Sequence, residues 1–197
     1  MTKRFLRNNP DAAAIFYRRN SRLFCILALC IIALSGPVWA GDETDWLTLE
    51  TRYTVIRYPD SETLVTFNRA IEYGSGWWAQ ADSPALLNTA QNRQIVQIKT
   101  DAIYERVQEI LDMKKKMAPV TILVYPDKAA LEDAFFDTYG QPCPFRGWYE
   151  FKTNTICLNA KDCHEGMLAH EIAHSVIDHF LQVRPPSNTA EILARYV

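Results

Sequence analysis

Between Met167 and Arg184 the sequence contains neither Gly nor Pro, and apolar residues flank a polar centre: Met167-Leu168-Ala169, then His170-Glu171-Ile172-Ala173-His174, then Ser175-Val176-Ile177. An uninterrupted stretch of this kind reads as a helix, and its apolar flanks require burial against a sheet. Residues four apart share one helical face, so the imidazoles of His170 and His174 can reach a single metal ion, with Glu171 projecting beside them. With four His and eleven Glu in 197 residues, chance yields such a string in on the order of one chain in two hundred. The string is therefore read as a metal site rather than as an ordinary amphipathic helix.

Zinc in catalytic sites takes three protein ligands and leaves the fourth position to water, whose pKa falls to about 7 on binding. Glu171 is then placed to take a proton as the water attacks a carbonyl and to pass it to the leaving amine. Three downstream residues are candidates for the third ligand: Asp178, His179 and Glu191. A metzincin pattern would require Gly at position 177 and His at position 180, where the chain has Ile177 and Phe180. His179 lies about 140° round the helix from His174, so it points away from the metal. Asp178 is on the face of His174, but its short side chain is better placed to steady a neighbouring group than to reach the same ion. Glu191 follows Val183-Arg184-Pro185-Pro186-Ser187, which must end the first helix, and Ser187, Asn188 or Thr189 can cap a second one. A second helix packed back on the first would bring Glu191 to the metal. A Glu in the first turn of a surface helix, favoured there by the dipole, is the competing account of that residue.

At these residues the chain resembles the gluzincins, the zinc metallopeptidases that include the thermolysin type and the peptidase MA-like group. The run His170 to Asp178 is similar to the thermolysin-type active helix, including its Asp four residues after the second His. Glu191-Ile192-Leu193-Ala194-Arg195-Tyr196 resembles the Glu-Gly-x-Ala-x-Tyr helix of MA-like proteins. The resemblance implies His170, His174 and Glu191 as zinc ligands and Glu171 as general base. It covers about residues 150–197 and departs at Ala190, Ile192 and Arg195, where those groups carry Asn, Gly and Asp. The metal set carries over and the substrate pocket does not. The oxyanion-stabilising role that thermolysin-type enzymes give to a later His would fall here to Tyr149, to Tyr196 or to no side chain.

Residues 1–40 do not read as domain. Lys3, Arg4, Arg7, Arg18, Arg19 and Arg22 precede an apolar run from Leu23 to Leu34, and Val38 and Ala40 supply the small residues of a cleavage site. A bacterial-type secretory signal with a mature chain from Gly41 is expected, exported to the periplasm or beyond; an uncleaved inner-membrane anchor over residues 23–40 is the alternative. Removing residues 1–40 takes six of the 21 basic and one of the 23 acidic residues, which leaves a net charge of about −7 and disfavours nucleic acid as a partner. Cys25 and Cys30 leave with the signal. Cys143, Cys157 and Cys163 then meet an oxidising compartment where one disulfide can form, with Cys163 the favoured member. A thiolate site from Cys157, Cys163 and His164 lacks the usual Cys-x-x-Cys spacing.

The remainder, residues 41–197, is expected to be one α+β domain, zincin-like by the same resemblance: a mixed sheet with an edge hairpin, then the metal-binding helix and a second ligand helix. A strand is expected over Trp46–Tyr58, with Leu47, Leu49, Tyr53, Val55 and Tyr58 buried, then a helix over Ser61–Tyr73 broken by Gly74-Ser75-Gly76. Trp77-Trp78 reads as core or interface. A helix is expected over Ile95–Met117, with Ile98, Ile103, Val107 and Ile110 as its stripe and Lys114-Lys115-Lys116 as its last turn. Val120–Tyr125 reads as a strand, Lys128–Tyr139 as a helix, and Gly147–Phe151 with Thr155–Asn159 as a hairpin. By analogy with gluzincins, Thr155–Asn159 would be the edge on which an extended peptide adds as a strand. The function expected is a secreted zinc metallopeptidase acting on peptides or proteins. Its rival is a non-catalytic zinc-containing envelope protein that binds peptides.

Overall fold

In the computed structural model, which describes residues 46–72 and 89–197, β1 (Leu47–Glu50) turns back at once into β2 (Thr54–Tyr58). The Thr51 hydroxyl accepts the amides of Tyr53 at 3.2 Å and Thr54 at 2.9 Å. A side-chain turn of this kind reverses the chain, so the single strand expected over Trp46–Tyr58 is an antiparallel hairpin instead. The reversal also changes which residues face inward. Leu49, Thr54, Ile56 and Tyr58 are buried, whereas Leu47 is exposed and Val55 half-buried.

Helix α1 (Ser61–Ala70) starts at Asp60, whose carboxylate accepts the Thr63 amide at 2.8 Å, and stops short of the expected Tyr73. The expected break at Gly74-Ser75-Gly76, the Trp77-Trp78 pair and the 1–40 leader lie outside the described residues. Helix α2 (Thr89–Ile110) begins and ends earlier than expected. Its buried side carries Ile95, Val96, Thr100, Ile103, Tyr104 and Val107, while Ile98 is half-buried and Ile110 exposed. Asp112, with φ of 52°, turns the chain out of the helix, and the Gln108 amide reaches on to the Lys115 carbonyl at 3.1 Å. Lys114, Lys115 and Lys116 therefore follow the helix rather than forming its last turn.

β3 (Val120–Tyr125) and α3 (Lys128–Tyr139) occupy their expected ranges. Asp127 caps α3 by accepting the Ala130 amide at 3.1 Å. Gly140 ends it in the left-handed conformation, where a residue without Cβ is unstrained. β4 (Gly147–Glu150), β5 (Thr155–Asn159), α4 (Glu165–Phe180) and α5 (Ser187–Ala194) complete the described elements. All of them lie in one compact unit, Thr44–Val197. No described helix is long and apolar enough to cross a membrane.

The result is an α+β fold on a five-stranded mixed sheet of order β1-β2-β3-β5-β4, with β2, β3 and β5 parallel and the two outer strands antiparallel to their neighbours. Registered residues Leu49, Ile56, Ile122, Ile156 and Tyr149 form one row across the sheet. The alternation of a strand puts that row on one face, where it packs with residues of α1, α2, α4 and α5 in the main core. The other face carries Trp148 and its cross-strand partner Cys157, and Phe135 of α3 meets the Trp148 ring there at 5.0 Å.

Two expectations fail on this topology. β5 is paired on both sides, with β3 and with β4, so Thr155–Asn159 has no free edge for an added strand, and the sheet ends at β4. Cys143, Cys157 and Cys163 are all free thiols. Cys163 belongs to the main core and Cys157 faces the α3 side, so the sheet separates them. Burial pushes each of these two thiols up to about 12.

Candidate metal centre

Helix α4 is positioned by its apolar side. Leu168, Ile172, Val176 and Ile177 are fully buried, and each such side chain contributes about 1.5–3 kcal/mol on leaving water. The His164 ring caps the start of α4, its Nδ1 accepting the Met167 amide at 3.2 Å. Leu181 ends the helix, and Pro185-Pro186 leads into α5. No side chain caps α5, contrary to the expectation for Ser187, Asn188 or Thr189. The Pro186 carbonyl accepts the amides of Thr189 at 2.9 Å and Ala190 at 3.1 Å instead, and Ser187 is already helical. Ala190 and Ala194, four apart on α5 and both buried, give that helix a small-residue face that lets it lie close to its neighbours.

The close approach brings together the three residues expected to bind metal. His170, His174 and Glu191 present ligand atoms within 4.8 Å of one another, the one such His/Cys/Asp/Glu group among the described residues. His170 Nε2 and His174 Nε2 are 3.2 Å apart. Glu191 Oε2 lies 3.3 Å from His174 Nε2, and Glu191 Oε1 lies 3.7 Å from His170 Nε2. Zinc–ligand bonds of 2.0–2.1 Å in a tetrahedron put ligand atoms about 3.3 Å from each other, so the spacing fits zinc. The proton positions fit as well. His170 donates from Nδ1 to the Ala194 carbonyl at 3.2 Å, and a carbonyl can only accept, so Nδ1 carries a proton and Nε2 is the ring atom turned to the centre. Burial first, and then His170, lower the pKa of His174 below its usual value, which also favours a neutral ligand. Two imidazoles and a carboxylate converging on one point could hold a cation.

Glu171 is buried beside this group. Its carboxyl is pushed up to about 7, mainly by burial and secondarily by the Glu191 charge, a value suited to exchanging protons near neutral pH. His170, Glu171, His174 and Glu191 line a cavity of about 570 Å³ whose far wall is Gly147, Trp148 and Tyr149 of the outer strand β4.

The other candidates fall elsewhere. His179 points away, as the helical geometry predicts; its Nε2 lies 3.1 Å from the Tyr149 hydroxyl and its ring stacks on Phe151. Asp178 is buried and steadies a neighbour, but that neighbour is Arg184, whose Nε donates to Oδ2 at 3.1 Å. Tyr149 lines the cavity with its ring parallel to that of His174. Its hydroxyl donates to Asn154 Oδ1 at 3.3 Å, and burial first, then Asp178, push its pKa up. Tyr196 is 73% exposed and is not among the residues lining the cavity.

Three contributors were not read from the sequence. The Ala194 carbonyl could have been suspected from the Ala190–Ala194 spacing. Arg184 was visible as a lone cation between two ligand helices. Asn154, which accepts from the Ser175 hydroxyl at 2.7 Å and ties the hairpin to α4, left no sequence signal beyond its place in a turn. Neither known protein families, curated proteins nor solved structures match this chain.

Proposed function

We propose that this protein is a zinc-dependent metallopeptidase of zincin-like architecture that hydrolyses peptide bonds with a metal-activated water and Glu171 as general base. The observation that carries the reading is the convergence of His170, His174 and Glu191 at tetrahedral spacing, with a buried carboxyl of raised pKa beside them in an open cavity. Zinc, when bound, supplies a Lewis acid that polarises the scissile carbonyl and lowers the pKa of water. Glu171 takes the proton of the attacking water as the carbon–oxygen bond forms and delivers it to the amine nitrogen as the carbon–nitrogen bond breaks. His170 is held in register by the Ala194 carbonyl, so no reorientation is needed during turnover. A peptide in extended conformation fits the outer side of β4, the sheet edge whose Gly147, Trp148 and Tyr149 line the same cavity. The apolar Leu23–Leu34 run behind a basic start supports export, so the substrates are envelope or extracellular peptides and proteins.

A second reading, a zinc-bearing peptide-binding protein without turnover, draws support from the oxyanion side: the Tyr149 hydroxyl is engaged by Asn154 and His179, and Tyr196 is exposed away from the cavity.

Elemental analysis of the purified protein beside Glu191→Ala tests the centre. One zinc per chain, lost or much weakened in the variant, is the expected result. Stoichiometric zinc indifferent to Glu191 would move the third ligand elsewhere, and absence of zinc from both would remove the peptidase reading. Turnover of a peptide library by the loaded protein separates the enzyme from the binding protein.

A further inference from the structure

Arg184 lies in the segment between the two ligand helices and lines the same cavity as the metal group. Among the described residues it is the one Lys or Arg side chain that does so, and the acidic side chains there are Glu171, Asp178 and Glu191. Its guanidinium is fixed from two sides. Nε donates to the buried Asp178 carboxylate at 3.1 Å, and the cation sits over the Phe151 ring at 4.2 Å. Both contacts orient a side chain that would otherwise sample many rotamers. Neither terminal nitrogen, Nη1 or Nη2, has a hydrogen-bond partner among the described residues. What remains is an oriented fork of N–H donors opening on the cavity, the arrangement that receives a carboxylate in two parallel hydrogen bonds. Asp178 follows His174 by one helical turn, roughly 6 Å along the axis.

We propose that Arg184 anchors a carboxylate of the substrate peptide beside the scissile bond, and so selects where the peptide is cut. The carboxylate has two sources, the free end of the peptide or an Asp or Glu side chain. The first would make the protein trim peptides from their carboxyl end, and the second would make it cut beside acidic residues. The proposal rests on the peptidase reading above for its consequence, but carboxylate binding can be measured without turnover.

The probes are N-acetyl-Ala-Ala-Phe with a free carboxylate, the same peptide as its amide, and N-acetyl-Ala-Asp-Ala amide. Their binding to zinc-loaded Glu171→Gln protein is measured by calorimetry, and their hydrolysis by the wild type is followed in parallel. The expected result is about tenfold to a hundredfold tighter binding of a carboxylate-bearing probe than of the plain amide. Arg184→Gln should abolish that ratio while leaving the amide peptide's affinity within a factor of two. Arg184→Lys, which keeps a charge against Asp178 and guards against a loss of fold in the Gln variant, should retain only part of it. Preference for the free acid alone identifies the peptide end, and preference for the Asp peptide identifies a side chain. Equal affinity for all three probes, or a ratio unchanged in a folded Arg184→Gln protein, overturns the proposal. A ratio that depends on Arg184, with no probe hydrolysed, would uphold the anchor and count against the peptidase reading instead.

Discussion

The Nδ1 of His170 donates to the backbone carbonyl of Ala194 across 3.2 Å. One short helix therefore performs two tasks at the centre, supplying the Glu191 carboxylate and orienting the imidazole that faces it. The orienting contact comes from the main chain, so it depends on how closely α5 packs on α4 and not on the identity of a polar side chain.

That dependence can be tested without touching a ligand. Ala194 is 1% exposed, and Ala194→Leu would force extra methylenes into the helix contact at a cost of about 1–3 kcal/mol. Displacing the carbonyl from His170 should weaken zinc about tenfold to a hundredfold. Competition with a chromogenic chelator measures this, and an unchanged affinity in the folded variant would show that the carbonyl does not organise the centre.

Glu171→Gln keeps the shape of the side chain and removes its basicity. Zinc content should remain at the wild-type level while peptide hydrolysis falls by about 10²–10⁴. Full activity in the metal-loaded variant would take Glu171 out of the mechanism.

Burial and the Glu191 charge push the Glu171 carboxyl from its ordinary 4.5 to about 7 in the metal-free protein. Between those values the folded chain holds a proton that the unfolded chain has released, so stability declines as pH rises through the window. The full displacement corresponds to about 3 kcal/mol. His174 acts in the opposite sense: burial lowers its pKa from 6.5, so its contribution increases with pH below that value. Comparing wild type with Glu171→Gln isolates the first effect. In denaturant titrations of chelated protein, the variant should gain on wild type as pH rises from 4.5 to 7, and parallel curves would mean that the carboxyl is not displaced.

Gly147 opens β4 at the cavity wall. A Cβ there would stand 2.5 Å from Leu158 Cδ2 and 3.1 Å from the Cys157 carbonyl oxygen, with Met167 Sδ of α4 at 3.4 Å. The backbone oxygen cannot move aside as a side chain could. Gly147→Ala should cost about 1–3 kcal/mol, read as a lower denaturation midpoint with an unchanged slope. Wild-type stability would show that the Leu158 side chain and the β4–β5 pairing give way to the added methyl.

The convergence of His170, His174 and Glu191 was legible in the sequence because helical spacing fixes the His170–His174 relation locally, and Pro185-Pro186 ends the first helix so that a second can return Glu191. The strand Val120–Tyr125 and the helix Lys128–Tyr139 were legible for a related reason: Pro126 and Asp127 punctuate them. What was missed depended on turns whose signals are weak or on pairing between distant segments. Thr51 turns one expected strand into two, which reverses the inward set around Val55 and Ile56. Asp112 turns the chain away before the lysines in a left-handed conformation that Asp tolerates better than most residues but that the sequence alone does not impose. The place of β5 inside the sheet follows from its parallel pairing with β3, which only tertiary packing decides. Arg184 owes its orientation to Asp178 and Phe151, a pairing that spacing along the chain does not mark.

The outermost position of β4 has a cost as well as a use. A sheet edge able to accept a peptide can also pair with another copy of itself, the usual route to self-association of β proteins. Here the edge spans only Gly147–Glu150, about 13 Å of strand, and it ends in an acidic side chain. Stable zippers between chains draw on six or seven residues. An edge of this length can grip a passing chain in register without templating a stack.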